Sequence, residues 1–429
     1  MGRALLVLGL LATAWPLLAG AQAPVAVPPA PSADPFARSQ LAEPVVAGTA
    51  LPGGTQLTVR GFVDAGYIYI RQEGPASLGG DLSWAWGNSQ FRFLSQNNTF
   101  TVNQVELSLE GQRESEGRVV GGRLNVDYYP SRDPEIYQGA GTDQPFDVTQ
   151  ALVFIEWPRA WRTRVVLGRA PGFVTLEQEE AAPPELRLIG HTYVFAAGGG
   201  YPYGLQAITH PLDSLAIRLG VANGGMGGYS FFPGDDSTLN RPVARDTDAG
   251  GNDQAHAKTG YGAIDYTVFD RAAEIGTLRL GLAGARNPGL TFDSTNDTLQ
   301  AYRFSNVWAA YRLGSFEVRS ESAKLSAFYE TSLGRFEASM AYLLLSWYGG
   351  ANHLVTLRVE RMTFRTDRYW DFEGSAKKSG LSYRYRLADG VALKVEGVRE
   401  IQSPQFYVMP PDWKDLTTSV FTTSLVYSF

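Results

Sequence analysis

The amino-acid sequence predicts an all-β fold, a transmembrane antiparallel β-barrel of about sixteen strands with short periplasmic turns and long external loops. Three observations predict it. Apolar and polar residues alternate from Thr55 onward, short and long connections follow one another in turn, and the chain ends on an alternating segment whose last residue is Phe429. This rhythm is typical of transmembrane barrels, in which lipid-facing and lumen-facing residues alternate along every strand.

The alternation is clearest in two neighbouring segments. In TFTVNQVELSLEG, Val105 and Leu107 fall on the face opposite Glu106, and in GGRLNVDYY, Leu124 falls on the face opposite Arg123. Because a strand has a period of two, each segment has one apolar and one polar face. A soluble sandwich would alternate in the same way, but it would lack the rhythm of short and long connections.

The connections between these segments differ in length in a regular way. Short connections are predicted near 115–117, 158–162, 211–214, 270–276, 313–315, 348–352 and 387–390. Long connections are predicted near 73–98, 130–146, 170–200, 224–257, 287–299, 365–378 and 402–415. The rhythm is imperfect near 332–335, which is short although its parity makes it external. Sixteen strands place both chain ends in the periplasm, and fourteen or eighteen strands are the alternatives.

The final segment, TTSVFTTSLVYSF, is predicted to close the barrel. Phe421, Leu425, Tyr427 and Phe429 share its apolar face. The alternative is an ordinary edge strand, but an exposed apolar edge is an aggregation hazard in a soluble protein. In a closed barrel this strand pairs with the one that begins near Thr55, so no edge is left. A terminal aromatic residue on such a strand resembles the signal that the outer-membrane barrel assembly machinery reads.

Three regions are predicted: a signal peptide at 1–21, an Ala/Pro-rich periplasmic linker at 22–54 and the barrel at 55–429. A basic start, a short apolar run and the small residues Ala19 and Ala21 are typical of a cleaved export signal. The alternative, a transmembrane anchor, is disfavoured because the run is shorter than the ~20 residues that a spanning helix needs. We therefore expect export to the outer membrane of a Gram-negative cell, in contact with lipid and lipopolysaccharide.

Composition excludes several classes of function. The chain has no cysteine, so a disulfide framework and thiol chemistry are excluded. Its net charge of −6 over 429 residues argues against nucleic acid as a partner, since nucleic acid requires a basic face. The four histidines are scattered, and the sequence has no nucleophile elbow, Walker loop or dinucleotide fingerprint. We therefore expect neither an enzyme nor a metal or cofactor site.

Charged residues recur on the polar faces of the predicted strands. They are Arg60, Asp64, Glu106, Glu110, Arg123, Asp127, Arg218, Arg358, Glu360, Arg384, Arg386, Lys394 and Glu396. About sixteen strands enclose an aqueous lumen, so these side chains are predicted to line a pore whose field sorts small solutes. The alternative is that neighbouring charges only satisfy one another, which is the favoured interpretation for any single pair.

Two segments resemble a family of Gram-negative outer-membrane proteins. GFVDAGYIYI at 61–70 and NNTFTVNQVELSLEG at 97–111 resemble the opening strands of the OmpL-like β-barrel porins. GGRLNVDYY, LGRAPGFVTLEQEE and YPYG follow in the same order, and the resemblance covers 58–429. It implies an outer-membrane channel for small solutes, but it names no solute.

The segment 170–200 is the candidate constriction, because it follows the fifth strand, where porins carry the loop that folds into the pore. Its predicted constriction residues are Glu177, Glu179, Glu180, Glu185 and Arg187. Acids at the narrowest point would favour cations, so we expect a weak cation preference. A surface loop that faces solvent is an equal alternative. The acids of 224–257 match no calcium loop and are expected to be solvated.

Aromatic residues at strand ends are predicted to lie at the membrane–water interface. They are Tyr67, Tyr69, Trp157, Trp161, Trp308 and Trp347. The alternative for some of them is a sugar-stacking platform within the lumen.

The predicted function is that of a porin, which allows passive diffusion of small hydrophilic solutes or ions through a charged lumen. The main alternative is a non-conducting barrel that acts as an adhesin or scaffold through its long external loops. An outer-membrane hydrolase is not expected, because no strand pairs a serine with a histidine at a suitable depth. The sequence leaves the solute open, and it leaves open whether the barrel is a monomer or a homo-oligomer.

Overall fold

The computed structural model describes residues 47–51, 54–73, 99–128, 146–158, 161–180, 187–198, 200–223, 258–271, 275–287, 299–329, 334–366, 373–403 and 416–429. Within them the strands are β1 (Ala47–Leu51), β2 (Thr55–Glu73), β3 (Thr99–Ser115), β4 (Arg118–Tyr128), β5 (Phe146–Trp157), β6 (Thr163–Arg169), β7 (Tyr203–Leu212), β8 (Leu215–Asn223), β9 (Lys258–Arg271), β10 (Gly276–Asn287), β11 (Leu299–Leu313), β12 (Phe316–Tyr329), β13 (Gly334–Gly349), β14 (His353–Thr366), β15 (Glu373–Ala388), β16 (Val391–Gln402) and β17 (Leu416–Ser428). The helices are a 3₁₀ helix (Leu176–Glu180) and α1 (Tyr193–Gly198). No helix in this part of the chain is long and apolar enough to cross a membrane.

The strands β2 to β17 close into one antiparallel barrel of sixteen strands. Each strand pairs with the next along the chain, and β17 pairs back with β2, where Ser428 lies opposite Phe62. The predicted fold class is thus confirmed, including the closure of the last strand on the first. The remaining strand, β1, pairs with β2 between Thr55 and Val59, beyond the end of β17. Residues 47–51 of the predicted linker therefore form a strand.

The seven connections predicted as short lie at the barrel end that carries Phe429, and we call this the short-turn end; the short link between β12 and β13 lies at the opposite end. The predicted short connections all coincide with junctions between consecutive strands. Between β3 and β4, for example, Glu116 and Gly117 adopt positive φ angles of 53° and 71°. Two-residue hairpins with the matching twist require this left-handed conformation, which glycine adopts without strain.

One predicted long connection, 365–378, is wrong in its extent. β15 begins at Glu373, which pairs with Arg365 of β14. The sequence GSAKKSG has no apolar side chain larger than that of Ala376, so it lacks the apolar alternation that identifies the other strands. Its inward residue Lys378 is buried all the same, because Glu400 on β16 lies 3.9 Å from the ammonium group.

Alternation assigns one face of each strand to the outside of the barrel and the other to the lumen. On β14, Leu357 and Val359 are 44% and 50% exposed, whereas Arg358 and Glu360 are buried. The large exposed side chains of the other strands are likewise mostly Leu, Val and Ile. A contiguous exposed apolar surface of this size requires lipid or another protein to cover it.

Between β6 and β7 the chain turns into the barrel. We call this part the inserted segment; it comprises residues 170–180, 187–198 and 200. Its apolar residues, among them Phe173, Leu176 and Tyr193, form one buried cluster with inward residues of the wall from β8 to β15. A hydrophobic core therefore lies inside the barrel, between the inserted segment and one side of the wall.

Candidate functional site

Carboxylates of the barrel wall hold the inserted segment by its backbone. Glu321 on β12 accepts a hydrogen bond from the amide of Leu176 at 2.7 Å. Glu396 on β16 accepts hydrogen bonds from the amides of Ile189 at 2.6 Å and Gly190 at 3.0 Å. A buried amide without a partner is costly, so these carboxylates supply the partners that a regular helix or sheet would otherwise supply.

Arg358 on β14 completes this attachment. Its buried guanidinium donates to the carbonyls of Gly190 at 3.1 Å and His191 at 3.0 Å. It also donates to Glu360 and Glu396, each at 2.8 Å. The guanidinium of Arg358 therefore links two carboxylates of the wall to two backbone carbonyls of the inserted segment. Its buried positive charge lies beside the negative charges of Glu360 and Glu396.

A second attachment centres on Arg187, one of the predicted constriction residues. Its guanidinium donates to Glu317 at 3.1 Å and to Ser346 at 3.2 Å. The hydroxyl of Ser382 donates to the Arg187 carbonyl at 3.1 Å, and Arg319 pairs with the same Glu317. Arg187 is therefore buried against the wall, with its charge neutralised there.

Glu177, another predicted constriction residue, binds within the segment itself. Its carboxylate lies 2.6 Å from Nδ1 of His191 and accepts hydrogen bonds from the amide (3.0 Å) and hydroxyl (2.5 Å) of Thr192. Burial raises the pKa of this carboxyl, but the hydrogen bond and charge of His191, together with Thr192, outweigh burial and hold the pKa below its ordinary value. Glu177 is therefore an anion that organises the segment.

The remaining predicted constriction residues are three acids. Glu179 and Glu180 lie in the 3₁₀ helix, and Glu185 lies outside the described residues. The constriction role of these residues stays a prediction. Because the Glu177 carboxylate and the Arg187 guanidinium are both buried in contacts, a cation preference set by this segment depends on the remaining three acids.

On the opposite side of the lumen, the predicted arginines of β2 to β8 and Glu110 are only partly buried. Arg123 donates to Glu110 at 2.8 Å, and their side chains are 31% and 18% exposed. Arg218 lies 3.2 Å from the carboxylate of Asp265, and Arg60 is half-buried. Solvent therefore reaches charged groups on this side of the barrel.

One ion pair on this side of the lumen joins two neighbouring strands. Arg123 pairs with Glu110 on the neighbouring strand and not with Asp127 on its own strand. Residues four apart on one strand are ~13 Å apart, whereas residues directly opposite on paired strands are ~5 Å apart. Asp127 instead accepts a hydrogen bond from Gln104 at 2.8 Å.

Five further predicted lumen residues lie on β2, β3, β15 and β16. Asp64 is buried and accepts a hydrogen bond from Asn103 at 3.2 Å, while Glu106 lies opposite the buried Asp127. Arg384 and Lys394 are buried cross-strand neighbours, and Arg386 pairs with Asp389 in the following turn. The predicted role of these residues in sorting solutes stays a prediction.

The sequence reasoning missed several charged residues of the inner wall, among them a row on β12. On β12, Glu317, Arg319 and Glu321 all face inward and are buried, and Glu317 and Glu321 bind the inserted segment. The signal was present, because these residues stand at alternate positions in FEVRSES. Lys378 was missed as well, and its ammonium lies 4.2 Å from the centre of the Tyr193 ring of α1.

Trp308 does not lie at the membrane–water interface as predicted. It shares the inward face of β11 with Asn306, is buried, and donates its indole N–H to Asp265 at 3.1 Å. Trp161, which lies in the turn before β6, and Trp347, near the end of β13, are exposed. The count of aromatic residues did not reveal this difference, because strand parity alone decides which face each ring occupies.

The last strand carries the four predicted assembly-signal residues on its outer face. Phe421, Leu425 and Tyr427 are exposed, and the rings of Tyr427 and Phe429 lie 6.0 Å apart. Their recognition by the assembly machinery stays a prediction.

Among the described residues, no group of three or more histidine, aspartate or glutamate side chains is arranged to hold a metal ion. The ring of His353 is bonded to the hydroxyl of Tyr383 at 2.9 Å, and that of His191 to Glu177. Both histidines thus take part in contacts that fix neighbouring strands or the inserted segment.

Comparison with known proteins extends the assignment of the fold. The outer membrane channel DcaP of Acinetobacter baumannii superposes with a TM-score of 0.57 at 15% identity, covering 89% of this chain and 100% of that one. An anion-selective porin from Comamonas acidovorans gives 0.53 at 14% identity, covering 87% and 100%. The outer-membrane protein OmpT of Vibrio cholerae gives 0.55 at 8% identity, covering 90% and 100%. No protein-family model and no curated protein matches the chain. At these identities the likeness shows the fold alone.

Proposed function

We propose that the chain is an outer-membrane porin, a passive channel for small hydrophilic solutes. One observation carries the proposal: a closed sixteen-strand barrel has an apolar outer surface and a charged inner wall, and its inserted segment is attached to one side of that wall. A barrel of eight strands is filled by its side chains, whereas sixteen strands enclose a channel. The segment narrows such a channel from one side, and the hydrated charges of β2 to β8 line the other.

The printed descriptions of the structural neighbours support the same proposal. One neighbour is named an outer membrane channel and another an anion-selective porin. The proposal includes export by a cleaved signal peptide, insertion by the barrel assembly machinery, and contact with outer-membrane lipid and lipopolysaccharide. It excludes catalysis as the main activity. The likeness to the OmpL-like porins in particular remains a hypothesis of the sequence.

Planar-bilayer recording tests the proposal. Purified, folded protein should give stepwise conductance increments that scale with salt concentration, and heat-unfolded protein should give none. The competing proposal, an adhesin or scaffold, expects a stable barrel that never conducts and whose binding is lost when residues 224–257 are trimmed. A folded barrel that stays silent in the bilayer would sink the channel assignment.

The weak cation preference predicted from the sequence is a separate proposal. It rests on Glu179, Glu180 and Glu185, because Glu177 is bonded to His191 and Thr192. Reversal potentials in a salt gradient, before and after neutralising the three acids together, measure it. Unchanged potentials would show that these acids do not face the path of the ions.

We also infer that a second copy of the chain covers the outer face of β6 to β8. These strands have 7, 10 and 9 residues, whereas β13 has 16. At ~3.3 Å per residue and a tilt of roughly 40°, the strand β6 spans only about 18 Å, less than the ~25 Å apolar band of outer-membrane barrels. Leu167 on β6 and Leu205 on β7 are exposed and apolar. Covering them with another protein surface avoids the cost of thinning the lipid layer around the short strands.

A further inference from the structure

Four arginines line the less-buried side of the lumen on every second strand. Arg60, Arg123, Arg164 and Arg218 stand on β2, β4, β6 and β8. Arg60, Arg164 and Arg218 lie between the midpoint of their strand and the short-turn end, and Arg123 lies at the midpoint of β4. Their neighbours in sequence, such as Leu124, Leu167 and Leu219, point outward, so parity directs the arginines into the lumen.

Three of these arginines interact with the carboxylate of Glu110. Arg123 donates to Glu110 at 2.8 Å, and Arg60 and Arg164 also act on Glu110 electrostatically. Glu156 lies opposite Arg164 on the paired strand. Across β7, Ile208 pairs with Arg164 on one side and with Arg218 on the other, so these two arginines stand in one row.

The guanidinium of Arg164 is held in place by an aromatic ring. Its central carbon lies 3.8 Å from the centre of the Phe154 ring, which is buried on the inner face of β5. Stacking on a ring fixes the plane of a guanidinium while leaving its N–H edges able to bind. Arg164 is thus preorganised before any solute arrives.

The arginines around the inserted segment differ, because they are buried in ion pairs. Arg358 is fully buried between Glu360 and Glu396, and Arg187 and Arg319 are buried beside Glu317. Those charges bind the inserted segment and are closed to solutes. Arg123 and Glu110, by contrast, are reached by solvent, and Arg60 and Arg164 also act on the Glu110 carboxylate.

We propose that Arg60, Arg123 and Arg164 form a binding site for small solutes that carry carboxylate or phosphate groups, in the half of the lumen nearer its short-turn mouth. The proposal rests on the porin function, which places this mouth in the periplasm. Guanidinium groups bind planar or tetrahedral oxyanions through paired N–H donors. A bound solute anion would accept some of the N–H hydrogen bonds that Glu110 accepts when no solute is present.

The test is block of the channel by two probes, citrate for carboxylates and pyrophosphate for phosphates. Each is added to either chamber of a planar bilayer while KCl carries the current. We expect concentration-dependent block that is stronger from the short-turn side. Arg123→Gln and Arg164→Gln should each raise the half-blocking concentration by about tenfold, the loss expected for one charge-assisted contact. Glu110→Gln should lower it, because a competing anion is removed.

Arg118→Gln is the matched control, since Arg118 is an exposed arginine at the start of the same strand as Arg123. It should leave block unchanged. Normal conductance without block, or equal block in Arg123→Gln, Arg164→Gln and wild type, would overturn the anion site while the porin function stands. If the wild type does not conduct, the porin function is contradicted instead. Calorimetry of pyrophosphate binding to the detergent-folded barrel then tests the anion site independently of conductance. Retained heat-resistance of each variant on gels shows that it has folded.

Discussion

Gly61 and Phe429 exchange two backbone hydrogen bonds of 2.9 Å, each donating its amide to the carbonyl of the other. They thereby continue the pairing of β17 with β2 by one residue beyond Ser428. The Phe429 ring lies over Gly61, where a side chain would place its Cβ 2.5 Å from the ring. Phe429 thus takes part in the pairing that closes the barrel, and its partner Gly61 stands at a position with no room for a side chain.

Gly61→Ala is therefore expected to weaken the closure of the barrel. The added methyl group would meet both the Phe429 ring and, at 2.6 Å, the carbonyl oxygen of Glu106. Overpacking of this kind costs ~1–3 kcal/mol. The temperature at which the folded, heat-modifiable gel band is lost should fall. Gly111→Ala is the control, because nothing lies within 4 Å of that position on the adjacent strand β3. Equal melting of both variants would contradict the role given to the Gly61–Phe429 contact.

Loss of Arg358 is expected to release the inserted segment. Arg358→Ala leaves Glu360 and Glu396 buried without their shared cation, and breaking a buried pair in this way costs ~3–5 kcal/mol. The carbonyls of Gly190 and His191 lose their donor as well. We expect a larger and noisier single-channel conductance and faster proteolysis within the segment.

Arg365→Gln on the same strand is the control for this change. Arg365 is exposed and pairs with the partly exposed Glu337, a kind of ion pair worth ~0–1 kcal/mol. Its conductance and proteolysis should match those of the wild type. A quiet channel of unchanged size in Arg358→Ala would show that the apolar cluster alone holds the segment.

The pairing of strands and the direction of most side chains could be predicted from the sequence, because both follow from a period of two. Arg358 and Glu360 alternate with Leu357 and Val359, and the pattern places the first pair inside. The attachment of the segment could not be predicted in this way. Glu396 binds the amide of Gly190 across 206 positions of the chain, and no local pattern encodes such a contact.

The contacts of Glu177 could not be predicted from the sequence either. The sequence places several acids in the segment 170–200, but it does not reveal which of them turns back onto the segment. That choice depends on His191 and Thr192, which approach Glu177 only once the chain has entered the barrel. Selectivity inferred from acid counts alone therefore overstates the charge that a solute meets.

The Glu177 contacts predict an effect of pH on the segment. The pKa of this carboxyl is lowered from its ordinary value of 4.5, so its stabilisation is present above pH 4.5 and is lost as the pH falls through the lower folded value. At pH 7, Glu177→Gln should increase hydrogen exchange of the amides in 187–198 by about tenfold, the effect of ~1.4 kcal/mol. Near pH 3, the difference between the variant and the wild type should shrink.

Glu337→Gln serves as the control for this pH dependence, since Glu337 pairs with exposed arginines away from the segment. Its exchange should follow the wild type at every pH. Equal exchange of Glu177→Gln and wild type at pH 7 would mean that Glu177 does not organise the segment.

The proposed contact between copies of the chain predicts site-specific cross-linking. The sequence has no cysteine, so one introduced thiol is unique in each copy. Leu167→Cys on β6 and Leu205→Cys on β7 should be joined between copies by a short bismaleimide in membranes. Leu357→Cys, equally exposed on the longer strand β14, should remain uncross-linked because lipid covers it. Equal labelling by a lipid-soluble maleimide at all three positions, with no cross-link, would mean that the membrane thins around β6 and that the barrel is a monomer.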